Sequence, residues 1–332
     1  MKDEFVKKVI YTIKKYNLIQ AKDKIVVAVS GGPDSICLLD VLCKIKTEYN
    51  NFNIVVAHVN HMIRKEAIDD ELYVKKYCEK RSIEFYSKSI EVEKFANNNK
   101  IGLEEAGRIV RYNFFDEVME KTNSNKIAIA HNKNDKVETV IMNLLRGSGV
   151  SGLKGIEPIK ENKFIRPLIE CERTEIEEYC DKCKLNPRID KTNFENIYTR
   201  NKIRNIIIPY IKKEFNPNII STIYRLSELI KQDDEYFNNI VAYKYKDMHL
   251  EQSSNEIVLD LKKFNMQENS IKSRIIIYAI SELFGSSKGI EKIHIEDIIK
   301  LCNNNIGNKY LMPNKNTKVL VKNHKIFFIK QV

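Results

Sequence analysis

A chain of 332 residues, 43 % of them apolar, is long enough to bury a sizeable core in two domains and too apolar to be disordered. Seven cysteines, an odd number scattered from Cys37 to Cys302, exclude a disulfide scaffold and suit buried thiols in a reducing compartment, the cytoplasm. No apolar run approaches the roughly 20 residues that span a membrane, and the formal charge of +11 points to a polyanion, nucleic acid first, although lysine-rich usage alone also produces such a charge.

The N-terminal segment carries Phe5, Val6, Val9, Ile10 and Ile13 at helical spacing, which reads as an amphipathic helix and not a signal peptide. Strand-like runs follow at residues 24–29, 53–58, 83–88 and 126–130. Helical patterns lie at 35–45, 67–81, 104–121 and 135–145. This alternation predicts a doubly wound α/β fold with a mostly parallel sheet covered on both faces. Residues 97–99 and 303–305 are asparagine runs, read as short polar loops. Residues 147–155 hold four glycines and predict either a connector or a loop whose backbone approaches a ligand. Helices are expected at about 174–184 and at about 197–213, the latter containing Pro209, and Pro217 opens a long one to about 245. The predicted domains are therefore 1–215, α/β, and 216–332, smaller and helical to α+β, with a linker helix at about 216–245. Within the second, a strand at 256–260 precedes helices at about 271–283 and 294–303. The runs 318–322 and 325–330 form a closing hairpin through Asn323 and His324.

Right-handed crossovers gather the loops that leave parallel strands at one edge. Three such loops are rich in polar chemistry. Ser30-Gly31-Gly32-Pro33-Asp34-Ser35 leaves the first strand, His58-Val59-Asn60-His61 closes the second, and His131-Asn132-Lys133-Asn134-Asp135 leaves the fourth. Such an edge is the usual ligand crevice of open α/β sheets.

The first loop lacks the Gly-Lys-Ser/Thr of a nucleoside triphosphatase P-loop. It offers N–H groups around Gly31 and Gly32, two hydroxyls and a helix N-terminus, a set that suits pyrophosphate. Asp34 would repel phosphate unless Mg²⁺ lies between them. The alternative is a tight turn with Asp34 as N-cap. Asp135 and Glu138, spaced i,i+3, share one helix face. They read either as a capping box, with Asp135 as N-cap and Glu138 at N3, or as a grip on a cationic substrate. Arg108 and Arg111, and likewise Arg200 and Arg204, pair on helix faces as solvated charges or as phosphate donors. Cys180 and Cys183 form a lone CxxC, which is usually incidental.

The string Ser-Gly-Gly-Pro-Asp-Ser resembles the signature of the PP-loop ATP pyrophosphatases, adenine nucleotide alpha hydrolase-like proteins that cut ATP between the α- and β-phosphates. Five further groups follow in order. The first is His58-Val59-Asn60-His61 with Arg64 and Glu66, and the second Glu104 to Arg108, Arg111, Tyr112, Phe114 and Phe115. The third runs from His131 through Asp135, Glu138 and Thr139 to Arg146-Gly147-Ser148-Gly149. The fourth is Arg166-Pro167-Leu168, and the fifth comprises Asp190, Thr192, Asn193, Arg200, Asn201, Arg204 and Pro209. Together they resemble the tRNA(Ile)-lysidine synthetases over about residues 24–215, and residues 216–332 resemble that family's substrate-binding domain more loosely.

The resemblance implies an enzyme, a ligase that adenylates the wobble cytidine of CAU-anticodon tRNA(Ile) and then joins L-lysine to its carbon 2. It implies ATP as substrate, with Mg²⁺ at Asp34. ATP would lie on Ser30, Gly31, Gly32, Pro33, Asp34, Ser35 and His58. The lysine would lie on Asp135 and Glu138, and tRNA on Arg108, Arg146, Arg200, Asn201 and Arg204. Asp34, His131, Arg111 and Arg200 would be catalytic. Many members carry a histidine where this chain has Asn132, so no proton-shuttle role is carried over to it. Longer members have a further C-terminal domain, which this sequence is expected to lack. Homodimer formation is left open. Two other readings stand beside this one: cytidine thiolation by a related PP-loop enzyme that uses CxxC cysteines, and a non-catalytic tRNA-binding module.

Overall fold

Alternate residues of β1 (Lys24–Ala28) feed two apolar layers, as a strand buried on both faces must. Ile25 and Val27 join a cluster with Leu38, Leu42 and Val74, whereas Val26 and Ala28 join Phe114, Phe115 and Val118. The computed structural model describes residues 3–46, 51–62, 67–188, 198–286, 289–304 and 309–331. In it, β2 (Asn53–Asn60) and β4 (Lys126–Ala128) flank β1, both parallel to it. β3 (Glu84–Ser89) pairs with β2, and β6 (Phe164–Ile165) with β4, again parallel. β5 (Ile159–Lys160) is antiparallel to β6 at the edge. The order β3-β2-β1-β4-β6-β5 reverses direction beside β1, the topological switch point where such sheets bind ligands.

Helices α1 (Glu4–Lys15), α2 (Pro33–Ile45), α3 (Ala67–Glu79) and α7 (Arg173–Lys182) contribute to one layer through Val9, Leu38, Val74 and Ile176. α5 (Leu103–Lys121) supplies the other through Phe114, Phe115 and Val118. α4 (Val92–Asn99) packs beside it through Val92 and Ala96. The asparagines read as a loop at 97–99 instead form the last turn of α4, which ends at Lys100 in the left-handed region, φ 53°. Likewise Asn303 and Asn304 close a helix. The 147–155 stretch is a 3₁₀ turn (Val150–Lys154) docked on α6 (Lys133–Leu145). Asn143 Nδ2 donates to the Gly152 carbonyl, and a Cβ on Gly155, whose φ is +65°, would lie 2.8 Å from Val140 Cγ2. Glycine at 155 is needed for the close approach to α6.

Pro209 explains the local form of the next segment. Proline has no N–H and its ring crowds the carbonyl one turn earlier. Between α8 (Thr199–Lys202) and α9 (Ile208–Glu214) the chain widens into a π turn, Ile203–Ile207, with the Ile208 N–H reaching back to the Ile203 carbonyl. Single π turns of this kind are frequent at functional sites.

Two compact units divide after Glu228, inside α10 (Ile219–Met248). The second unit, Leu229–Val332, holds an antiparallel sheet of order β7-β8-β11-β10-β9. Its strands are β7 (His249–Gln252), β8 (Glu256–Asp260), β9 (Lys309–Asn314), β10 (Thr317–Lys322) and β11 (Lys325–Lys330). Ile257, Leu259, Val319, Val321, Ile326 and Phe328 pack against α12 (Asn269–Phe284) and α13 (Lys292–Asn304), with the short α11 (Leu261–Asn265) closing one side. The expected hairpin joins β10 and β11, and both turn residues, Asn323 and His324, have positive φ, as a two-residue type I′ turn requires.

One buried carboxylate ties the first layer together. Asp40 accepts hydrogen bonds from Tyr77 and Tyr179, both at 2.7 Å, and pairs with Lys44 at 2.9 Å. Burial pushes its carboxyl upward, but the bonds from Lys44, Tyr77 and Tyr179 outweigh this, and its pKa falls below the ordinary 3.8. A carboxylate depressed in the folded state contributes stability above its unfolded pKa and loses it as pH falls through the folded value. Thermal melts at about pH 6 and about pH 3 are therefore expected to differ less for Asp40→Asn than for the parent, and an equal acid drop would remove Asp40 from the acid response.

No described helix is long and apolar enough to cross a membrane. All seven cysteines are free, and five of them are buried.

Candidate active site

The glycine loop folds on its own serines. Ser30 N–H donates to Ser35 Oγ at 3.1 Å, and Ser35 Oγ donates to the Gly32 carbonyl at 3.0 Å. Gly31 sits at φ +94°, and its carbonyl accepts from the Arg188 N–H at 2.9 Å. Gly32, not Asp34, is the N-cap of α2, with Pro33 at the first helical position. The turn with Asp34 as N-cap is thereby excluded. Asp34 and Ser35 stand in the first turn, where N–H groups lack intrahelical partners and the helix dipole favours an anion. His58 is buried, and its Nδ1 lies 2.8 Å from the Val29 carbonyl, so Nδ1 carries the hydrogen and pins the end of β1. Burial lowers its pKa, which the bond to Val29 opposes.

The start of α6 is capped differently from the sequence reading. Asn132 is the N-cap and Asp135 is N3, so the capping box lies three residues earlier than Asp135–Glu138. Asn132 Oδ1 accepts from the Asp135 N–H at 2.9 Å, while Asp135 Oδ2 accepts from the Asn132 N–H at 3.0 Å. Asn132 Nδ2 then reaches the glycine loop, donating to Asp34 Oδ1 at 2.9 Å. The site's two loops are joined through this amide. Burial and the neighbouring Asp135 charge push the Asp34 carboxyl up to about 6, against the pull of Arg173, Asn132 and Arg204.

Asp135 and Glu138 face three guanidinium groups. Glu138, 1 % exposed, accepts from Arg200 Nε at 2.9 Å and from Arg204 Nε at 2.7 Å. Asp135 Oδ1 accepts from Arg200 Nη2 at 3.1 Å and Arg204 Nη2 at 3.2 Å, with Arg173 at 3.5 Å. Arg204 stands in the π turn that Pro209 explains, and Arg200 in the helix before it. The acids thus bind the arginines themselves. A cationic amino acid would exchange with these guanidinium groups.

His131 accepts from Arg166 Nε at 2.9 Å through Nδ1. An arginine always donates, so Nδ1 is unprotonated and the hydrogen is on Nε2. Burial, followed by the charges of Arg166, Arg200, Arg111 and Arg108, holds the imidazole neutral, far below its ordinary value. His131 is therefore a neutral N–H donor and not a base while Arg166 holds it. Arg166 is itself 4 % exposed, and its Nη1 donates to the Glu157 carbonyl.

The structure gathers Ser30 to Ser35, Asn132, Asp135, Glu138, Arg173, Arg200 and Arg204 into one network. Arg108 and Arg111 stand on α5, close enough for their charge to act on His131, and Arg111 Nε donates to the Gly107 carbonyl. Asn201 lies on α8 between the two clamping arginines. Arg146 is not brought in: it is the exposed C-cap of α6, eleven residues from Asp135 and so about 16 Å along the helix axis. Arg64, Glu66, Asp190, Thr192 and Asn193 lie outside the described residues. Sequence reasoning missed Arg173 altogether and set Asn132 aside. The Asn-x-x-Asp spacing before an apolar run was the available signal for the latter. Cys180 Sγ lies against the Pro33 carbonyl at 3.6 Å, and Lys44 Nζ lies 3.2 Å from Cys183 Sγ, so the CxxC thiols serve different neighbours.

Half-buried Asp34 and buried Asp135 stand at the glycine loop and the start of α6, an oxygen donor set that fits a hard divalent cation. Among the described residues no three His, Cys, Asp or Glu side chains form a metal group. Mg²⁺ would take its remaining ligands from water and phosphate, as it commonly does.

Residues 1–211 match the model of the PP-loop domain family. The chain is 48 % identical over 307 residues to a tRNA(Ile)-lysidine synthase of Clostridium acetobutylicum, covering 92 % of this chain and 66 % of the relative. It is 45 % identical over 325 residues to one of Clostridioides difficile, covering 98 % and 70 %. The chain spans about two thirds of the length of these relatives. Among solved structures, the U34-tRNA thiolase NcsA of Methanococcus maripaludis, with its [4Fe-4S] cluster, is similar with a TM-score of 0.57 at 20 % identity. That likeness covers 68 % of this chain and 79 % of the thiolase, and it bears on the fold.

Proposed function

The chain belongs to the tRNA(Ile)-lysidine synthase family of PP-loop proteins, and we propose that it converts the wobble cytidine of a CAU-anticodon isoleucine tRNA to lysidine in the cytoplasm. One observation supports this reading: the glycine loop and the acid pair are tied together by the Asn132 bond to Asp34, an arrangement that would set a nucleotide beside a cationic amino acid.

In the first step the cytidine O2 attacks the α-phosphorus of ATP, and pyrophosphate leaves against the first turn of α2. In the second the ε-amine of lysine attacks carbon 2, and AMP leaves with O2. A pyrimidine oxygen is a poor leaving group, and adenylation makes it a good one. The amine must be neutral to attack, and the carboxylates of Asp135 and Glu138, which would hold the lysine, are the acceptors for its proton. His131 donates from Nε2 toward charge that develops on phosphate or O2. Arg111 and Arg108 supply positive charge for nucleotide and tRNA phosphates, joined by Arg200 and Arg204 once the lysine has exchanged with them on the acids. Mg²⁺, held by Asp34, would neutralise phosphate charge when bound. The second unit is assigned to tRNA binding, where exposed Tyr310 with Lys318 stacked 4.4 Å from its ring centroid is suited to nucleic acid.

The test uses radiolabelled lysine, ATP and each of the two CAU tRNAs, isoleucine and methionine. Label in the isoleucine tRNA alone, with one pyrophosphate released per lysine, is the expected result. Pyrophosphate release without lysine transfer, or no label at all, would overturn the reading.

A further inference from the structure

Asn132 is fully buried, and its amide is used at both ends. Oδ1 accepts the Asp135 N–H at 2.9 Å, which is ordinary N-cap chemistry. Serine or aspartate would cap as well. The second bond is different in kind: Nδ2 donates to Asp34 Oδ1 at 2.9 Å, across 98 residues of sequence. Aspartate could not make it, and serine is too short to reach. Asp34 otherwise feels the like charge of Asp135 and the opposite charges of Arg173 and Arg204. The amide is thus a neutral donor set between two carboxylates on the two loops that must act together.

We propose that Asn132 is a positioning residue for ATP turnover, its amide N–H fixing the Asp34 carboxyl of the nucleotide loop while its oxygen anchors the start of α6. The inference rests on the reading of the chain as an ATP-dependent lysidine synthase, but its binding arm can be read without turnover. Three observables separate positioning from capping. Asn132→Ser and Asn132→Asp both keep a capping oxygen and lose the donor to Asp34. Melting without ligand reports the cap. Calorimetric affinity for α,β-methylene ATP with Mg²⁺, and the kcat and KM of pyrophosphate release, report Asp34.

Losing a hydrogen bond to a charged group predicts analogue binding weakened roughly tenfold or more in both variants, with a melting point within about 5 °C of the parent for Asn132→Ser and a lower one for Asn132→Asp, which buries a further carboxylate beside Asp34 and Asp135. kcat for pyrophosphate release should fall by a similar factor, with KM for tRNA unchanged. A double-mutant cycle guards against a misfolded variant. In an Asp34→Ala background, Asn132→Ser should have no further effect on analogue affinity. Parental affinity and turnover in both variants, or additive effects in the cycle, would overturn the proposal and leave Asn132 as a cap. A parent protein that binds the analogue but releases no pyrophosphate would instead count against the proposed function alone.

Discussion

Replacing Glu138 by alanine is expected to lower the melting point of the Met1–Glu228 unit by roughly 6–12 °C and to abolish lysine transfer. Glu138 is 1 % exposed and is the shared acceptor of Arg200 and Arg204, with Arg173 at 3.7 Å. Removing one partner of a buried ion pair leaves uncompensated charge and costs about 3–5 kcal/mol. Here the guanidinium groups are 21–27 % exposed and Asp135 still engages both arginines, so the lower end, about 3 kcal/mol, applies. In a domain of this size each kcal/mol moves the midpoint by about 2–4 °C. Glu138→Gln keeps the shape and removes the charge. If it melts like the parent, packing and not ion pairing holds this part of the site. If Glu138→Ala still transfers lysine at the parental rate, the acid pair does not hold the amino acid.

Gly31→Ala should act the other way round, with a large loss of nucleotide binding and a small loss of stability. Gly31 has φ +94°, a region L side chains rarely adopt. A Cβ there would meet Asp70 Cβ and Val74 Cγ2 at an ordinary 3.7 Å, so the penalty is backbone strain and not a clash. Strain of this kind costs about 1–3 kcal/mol, and the loop would relieve it by rotating the peptides whose N–H groups are proposed to bind the phosphate. If that energy is drawn from binding, affinity for α,β-methylene ATP falls roughly 10- to 100-fold, with the melting point lower by a few degrees at most. Calorimetry on the folded variant checks this. Parental affinity would mean that the N–H groups of this loop do not carry the pyrophosphate.

The α/β layer order was legible because burial leaves a periodic trace. In β1, apolar residues run on both faces and neighbouring helices repeat at helical spacing, so strands at 24–29 and 53–58 and their crossovers could be read directly. The hairpin through Asn323 and His324 was legible from its two flanking apolar runs. β5 and β6 were not, because two-residue strands have no period to detect. α4 was hidden by its closing asparagines, whose polarity suits a loop but which sit on the solvent side of a helix anchored by Val92 and Ala96.

What the chain's own order of residues determined was the inventory: a glycine loop after a strand, acids at i,i+3 and arginines at i,i+4, each a local pattern set by backbone periodicity. What only tertiary structure decided was which of these charges meet. Asp135 and Glu138 could have faced solvent, and Arg200 and Arg204 likewise; folding placed them within 3.2 Å of one another, more than sixty residues apart in sequence. It also made Asn132, locally a plain cap, the donor between two loops, and made His131 neutral by burying it and seating Arg166 on its Nδ1. The reason is physical. Backbone periodicity is a short-range property written residue by residue, whereas the pairing of buried charges depends on distance and desolvation, which exist only once the chain has closed on itself.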